Sequence, residues 1–340
     1  MRGGGPRSKF PDVSTQTDTR PQARFGDYLA LARADHWIKH AMIAPGIVFA
    51  WLLSPGGHVA GEAGWFNIAA GFAAACLVSS ANYVINEWLD APFDAAHPKK
   101  RARPAVRTAM EPLIVYLEYA ALLSAGLLLA MLVGRMFMLT AAAFAVAGFL
   151  YNVRPFRTKD IPFVDVISES ANNPLRLLMG WFMIAPAFAP PASLLLAYWA
   201  GGAFLMTVKR FAEHRFLSGD GAANTAVAQY RPSLGGYRQS MLIVAALIYA
   251  QMFAFMMAVF LLKYRAEYML LFPPLVALFA LYMRIGFARD SAAQAPEHLF
   301  KQPLLLGLAA GIVALFLLLT FVDVPALSAF TEPHFIPVAE

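Results

Sequence analysis

The sequence predicts an all-α integral membrane protein with nine transmembrane helices. Three observations carry this. The 340 residues are 59% hydrophobic and only 14% charged, where soluble domains run at about a quarter charged, and the mean hydropathy is +0.55. Nine apolar runs are each long enough to cross a bilayer, which takes roughly 17–25 helical residues. The basic residues are distributed unequally between the loops on alternate sides of those runs.

In chain order, residues 1–25 are polar and rich in Gly, Pro, Arg, Thr and Gln. They read as a disordered tail. They lack the apolar centre and small-residue cleavage site of a secretory signal, so the fold is expected to begin near Phe25. The apolar runs follow at 37–55, 63–87, 112–133, 136–153, 163–187, 191–211, 239–262, 267–285 and 303–322. The fifth is the least apolar, because it carries Asp165, Glu169, Asn172, Asn173 and Arg176. One transmembrane domain therefore covers 26–322, and 323–340 forms a terminal tail. The single cysteine, Cys76, sits inside an apolar run and excludes both an internal disulfide and a CxxC metal site.

The charge pattern orients the chain. Of the 27 Lys and Arg, all but Arg135, Lys263, Arg265 and Arg176 lie in the N-terminal segment, or in or beside the loops after the second, fourth, sixth and eighth runs. Cytoplasmic loops collect Lys and Arg. The N-terminus is therefore expected in the cytoplasm and the C-terminus outside, in a cell membrane. The stretch after Asp323 has no Lys or Arg, as an external terminus should.

Four polar constellations gather on the predicted cytoplasmic side. At the end of the second run, Asn82, Asn86, Asp90 and Asp94 recur every fourth residue and so share one helix face. Glu87 lies beside them, and His97, Lys99, Lys100, Arg101 and Arg103 follow. A plain positive-inside loop accounts for the cations. It does not account for a polar stripe reaching back into an apolar run, where such groups are costly. Carboxylate and amide oxygens suit Mg²⁺, and nearby cations suit phosphate. The expected metal ligands are Asn86, Glu87, Asp90 and Asp94, and a bound Mg²⁺ would neutralise a departing diphosphate. The second constellation runs from Tyr151 through Arg154, Arg157, Lys159 and Asp160 to Asp165, with Glu169 and Arg176 beyond. Intramembrane ionisable groups point to function, although an Asp or Glu paired with Arg for packing is the competing explanation. The third is Lys209, Arg210 and Glu213, with Arg231 and Tyr237 further on; the fourth is Arg33, His36, Trp37 and Lys39. Catalytic roles are expected for Asp90, Asp94 and Asp165. Substrate contacts are expected from Lys100, Arg101, Arg103, Tyr151, Arg157, Lys159 and Arg176, while Lys39 alone reads as a residue snorkelling to the headgroups and Lys209, Arg210 and Glu213 alone as a positive-inside boundary, these four joining the substrate contacts with the resemblance that follows. No zinc spacing, P-loop or dinucleotide fingerprint is present, and the basic loops lack the aromatic interleaving of a nucleic-acid surface.

With these residues in view, the sequence resembles the UbiA superfamily of intramembrane prenyltransferases. The resemblance rests on the Asn86/Asp90/Asp94 motif after the second span and the polar motif after the fourth. Three details look closest to the decaprenyl-phosphate phosphoribosyltransferase branch: Arg33/Trp37/Lys39; the run Asp94-x-x-His97-Pro98-x-Lys100-Arg101-x-Arg103-Pro104; and Lys209-Arg210-Phe211-Ala212-Glu213. It departs in having Glu87 where the superfamily commonly has Asp, and in lacking an Asp-x-x-x-Asp second motif. The resemblance implies helices around a central cavity open sideways to lipid, in a bacterial inner membrane. It implies Mg²⁺ as cofactor. It implies a phosphorylated sugar, phosphoribosyl diphosphate, as donor and a polyprenyl phosphate, a polyisoprenoid lipid, as acceptor. A second expectation keeps the fold and has a prenyl diphosphate alkylate an aromatic or other acceptor. A third, a transporter using Asp165, Glu169 and Arg176, fits poorly with polar groups crowded at one end. Membrane lipids are the expected surroundings, no nucleic-acid partner is implied, and a homo-oligomer is compatible with all three.

Overall fold

A computed structural model describes residues 20–55, 62–96, 100–218, 229, 231–288, 291–294 and 302–327. Apart from one isolated bridge between Gln22 and Ala109, the regular structure among the described residues is helical. A short helix α1, Phe25–Leu31, precedes a 3-10 stretch, Ala34–Ile43, which continues into α2, Ala44–Leu53. The long helix α3 spans Glu62–Asp94. Then come α4, Pro112–Val133, α5, Arg135–Asn152, α6, Val164–Ser170, and α7, Asn172–Ile184. The second half contains α8, Ala192–Ser218, α9, Gln239–Tyr264, α10, Phe272–Gly286, and α11, Pro303–Phe321.

Seven of these segments are single helices long and apolar enough to cross a membrane: α3, α4, α5, α8, α9, the continuous stretch Ala266–Gly286, and α11. The expected first and fifth spans are each built in two pieces. In the first, the 3-10 stretch gives way to α2 at Pro45, which suits the opening turn of a helix. In the fifth, Pro174 lies in the first turn of α7 and has no N–H to continue the hydrogen bonds of α6.

Residues 20–25 are docked, not free. Ala23 N–H donates to Ala109 O at 3.0 Å, and Ala109 N–H donates to Pro21 O at 2.9 Å. Arg20 Nη1 reaches the carbonyls of Ala105 and Val106.

One apolar core joins α2, α3, α4, α5 and α7 through Ala50, Ala74, Val78, Ala130, Phe137 and Met179. Others join α8 to α9, α10 and α11 through Phe204, Val208, Tyr249, Tyr282 and Leu319. Phe253, Phe279 and Phe204 stack in a row at 4.5 Å between ring centres, a favourable offset arrangement. Outward Leu128, Leu132, Phe255, Val276 and Leu318 stay exposed, as lipid-facing side chains do.

The helices differ in how enclosed they are. The apolar window of α3 is 56% buried, against 6% for α11. A helix so enclosed turns its polar stripe toward protein, and the stripe then needs partners from other elements. Two glycines shape this neighbourhood. Gly134, at φ 145, turns the chain directly from α4 into α5, a conformation that L side chains rarely adopt. Gly148 lets α5 lie against α3: a Cβ there would sit 2.2 Å from Asn82 Cγ. Asn82 uses that contact to donate to Phe144 O at 3.2 Å, so the first member of the stripe fixes helix packing.

Candidate active site

The remaining stripe residues meet their partners at one end of the bundle. The C-terminal ends of α3, α5 and α8 converge there with the segment before α9, as the side-chain contacts between them require. A small cleft is lined by Asp90, Phe93, Asp94 and Lys100, and by Arg157, Lys159, Asp160, Arg231 and Pro232. Five of these, Asp90, Asp94, Lys100, Arg157 and Lys159, have a role expected from the sequence.

Each carboxylate of the stripe has one oxygen firmly held. Asp90 Oδ1 accepts from Arg157 Nη2 at 2.8 Å and lies 2.6 Å from Lys159 Nζ. Asp94 Oδ2 accepts from Arg103 Nη1 at 2.7 Å, while Lys100 Nζ stands 3.8 Å from Asp94 Oδ1. Among the described residues no side chain bonds to Asp90 Oδ2. One oxygen of each carboxylate therefore remains for a ligand.

Arg157 is over-determined. Its φ is 28, a costly conformation for a residue with a side chain. Three bonds hold it: Nη2 to Asp90, Nε to Asp160 Oδ2 at 2.8 Å, and Nη1 to Asn152 O at 3.1 Å. Burial pushes the Lys159 ammonium down to about 8, against the opposing pull of Asp90. Burial likewise lowers Lys100 from its ordinary range, opposed by Glu213 and Asp94. Glu213 of α8 thus lies within electrostatic reach of the loop after α3.

A second network stands behind the cleft. Tyr151 Oη accepts from Arg231 Nη2 at 2.5 Å and from Arg210 Nη2 at 3.3 Å. Arg210 also donates to Glu213 Oε2 at 2.6 Å and to Asp165 Oδ2 at 2.7 Å. Asp165 is fully buried. It accepts from Ser233 Oγ at 3.1 Å, and Tyr237 Oη donates to its other oxygen. Tyr237 in turn accepts from Phe163 N–H at 2.7 Å, and burial together with Asp165 raises its phenol well above the usual range. This network ties α6, α8 and the 231–237 segment together and presents Arg231 to the cleft.

Four of the expected site residues stand apart from the cleft lining. Asp165, expected to be catalytic, has both oxygens engaged inside the protein and does not line the cleft. Asn86, expected to ligate metal, accepts at its Oδ1 from Lys159 Nζ at 3.0 Å. Glu87, also expected as a ligand, is buried, with Arg33 at 3.7 Å and Arg103 at 3.9 Å. Arg101 is exposed and outside the cleft lining. His97 and Lys99 lie outside the described residues.

Deeper in the bundle, Lys39 Nζ lies 3.2 Å from His36 Nδ1 and donates to Tyr83 Oη at 3.4 Å. Lys209 is close enough to Glu213, Arg210, Lys39 and Lys100 for their charges to act on it. Arg176 packs its guanidinium over Phe144 at 5.2 Å, and its buried Nε has no hydrogen-bond partner among the described residues. Sequence reasoning gave no role to Arg231, Phe93, Asp160 and Asn152. The signal for Arg231 was its position in a polar segment on the cation-rich side, just ahead of Pro232.

The pattern of the UbiA prenyltransferase family matches residues 42–305. A UbiA homolog from Archaeoglobus fulgidus bound to DMAPP and Mg²⁺ is similar in structure, with a TM-score of 0.65 at 17% identity, covering 87% of this chain and 100% of that one. The homolog bound to GPP and Mg²⁺ gives 0.64 at 17% identity with the same coverage. A structure of digeranylgeranylglyceryl phosphate synthase gives 0.56 at 15% identity, covering 87% and 95%. At these identities the likeness is one of fold. The uncharacterized protein y4nM of Sinorhizobium fredii is 32% identical over 120 residues, 35% of this chain and 23% of that protein, so the match spans under a quarter of that relative's length. The family pattern runs from the last residues of the 3-10 stretch to the start of α11 and takes in the whole cleft. The chain therefore belongs to the UbiA prenyltransferase family.

Proposed function

We propose that this chain is a Mg²⁺-dependent transferase that moves 5-phosphoribosyl from phosphoribosyl diphosphate to a polyprenyl phosphate. The observation that carries this reading is the number and spread of cations around two carboxylates. Lys100, Arg103, Arg157 and Arg231 surround Asp90 and Asp94, and Lys39 and Lys209 stand further into the bundle. One diphosphate is served by the first group. A second, anionic substrate accounts for the rest.

The donor set fits Mg²⁺. Among the described residues no three His, Cys, Asp or Glu side chains form a metal cluster, so the protein brings two carboxylates one helical turn apart. Mg²⁺ is usually held by one or two carboxylates together with substrate phosphates and water. Asp90 Oδ2 and Asp94 Oδ1 are the oxygens that would hold it. When bound, the ion neutralises charge growing on the departing diphosphate.

The side chains do the remaining work. Arg157 and Arg231 grip phosphate oxygens from two sides, and Lys100 from the loop after α3. The C1–O bond to diphosphate breaks, and a new C1–O bond forms to the lipid phosphate held near Lys39 and Lys209. That oxygen is already anionic, so no side-chain base is needed. Catalysis is then positioning and charge stabilisation. The full chain in lipid nanodiscs, given labelled phosphoribosyl diphosphate and polyprenyl phosphate, should yield Mg²⁺-dependent labelled lipid. Absence of product from folded protein overturns the reading.

The second reading is transfer of a prenyl group from a prenyl diphosphate to an aromatic or other acceptor. It is favoured by the fold shared with the homologs solved with DMAPP and GPP. Product analysis with those two donors and an aromatic acceptor separates the two chemistries.

A further inference from the structure

The Lys159 ammonium sits in a nest of three oxygens: Asp90 Oδ1 at 2.6 Å, Asn152 Oδ1 at 2.7 Å and Asn86 Oδ1 at 3.0 Å. An ammonium has three N–H donors, and all three are used within the protein. The side chain is almost wholly buried, with its charge 5.9 Å from the centre of the Tyr151 ring. A carboxylate and two amide oxygens around one point are the ligands a hard cation takes, and here a tethered cation fills the place.

We infer that Lys159 is a positioning residue that acts as a built-in cation, and that it limits the site to a single divalent ion. The inference rests on the metal reading above. The ammonium holds Asn86, Asn152 and one oxygen of Asp90 in place, so only the other oxygen of Asp90 and that of Asp94 are left for metal. Lys159 then does not grip phosphate, because it has no donor left to offer. Grip on the diphosphate falls to Arg157, Arg231 and Lys100. Replacing the ammonium by an uncharged side chain of similar length leaves a vacant oxygen nest carrying the Asp90 charge, which a second divalent ion would enter.

The test is a count of bound Mn²⁺ by electron paramagnetic resonance, on the full chain in nanodiscs with inorganic pyrophosphate present. Wild type should bind one Mn²⁺ per chain, and Asp94→Asn should lose it. Lys159→Met should bind two, and adding Asn86→Leu to that variant should return the count to one. Asn86→Leu alone should leave the single ion's affinity within about threefold of wild type, since this amide is not a metal ligand. Two ions in wild type overturn the inference, as does a single ion in folded Lys159→Met. A tenfold loss of Mn²⁺ affinity in Asn86→Leu overturns it too, and needs no Lys159 variant. No ion in wild type removes the metal reading itself, and this inference with it.

Discussion

Asp165 separates a catalytic carboxylate from a structural one. In Asp165→Asn the side chain keeps its shape, loses its charge and exchanges one acceptor for a donor. The aspartate accepts from Arg210 at 2.7 Å, from Ser233 at 3.1 Å and from Tyr237, all of them buried. Breaking a buried ion pair by removing one partner costs about 3–5 kcal/mol. Arg210 keeps Glu213 at 2.6 Å, which places the loss at the lower end, about 3 kcal/mol. With about 2.1 cal/mol/K of unfolding entropy per residue, 340 residues give roughly 1.4 °C per kcal/mol, so the melting temperature in detergent should fall by about 4 °C. Turnover should fall much less than for a lost metal ligand, because Asp165 acts through Arg210 and the 231–237 segment. The loss should appear mainly as a higher KM for the diphosphate donor, about tenfold, with Mn²⁺ affinity unchanged. A variant with wild-type melting behaviour but a thousandfold lower turnover, or with lost metal binding, would refute this reasoning and restore Asp165 to the chemistry.

Other substitutions follow the same geometry. Asp90→Asn and Asp94→Asn should each reduce turnover by about 10²–10³, the scale of losing one preorganised charge-stabilising group, in a steady-state assay at saturating donor. Gly148→Ala should destabilise the bundle by about 1–3 kcal/mol, the usual range for overpacking, because the added Cβ meets Asn82 Cγ at 2.2 Å; thermal melting checks it. Arg101→Ala should change KM less than twofold, since Arg101 is exposed outside the cleft. Arg103→Ala should raise it by about tenfold, since Arg103 holds Asp94 at 2.7 Å.

Much of the fold was legible because hydropathy and helix length are local properties. Seven of nine apolar runs became single helices. The breaks in the other two lie at Pro45 and Pro174, residues whose missing N–H was present in the sequence as a signal. The stripe of Asn82, Asn86, Asp90 and Asp94 was legible because a period of four needs one helix only. Partner choice was not, because it depends on which residues distant in sequence arrive at the same place. Asn86 meets Lys159 across 73 residues, and Asp165 meets Tyr237 across 72. In sequence Asn86 therefore reads as a metal ligand and Asp165 as a catalytic carboxylate, and only the fold shows their oxygens engaged by partners inside the protein. Arg231 was passed over for the converse reason. Its segment carries no helical periodicity, and contacts with Tyr151, Ser233 and Asp165 hold it at the cleft.

The most direct measurement of the central idea is calorimetric titration of the full chain in nanodiscs with inorganic pyrophosphate, with and without Mg²⁺. If the carboxylates of α3 and the cations from the other elements serve one chamber, binding is saturable only with Mg²⁺ present. It then weakens at least tenfold in Asp94→Asn and also in Arg231→Gln, two residues on separate elements. Pyrophosphate binding that ignores Mg²⁺, or that survives both substitutions unchanged, would contradict it.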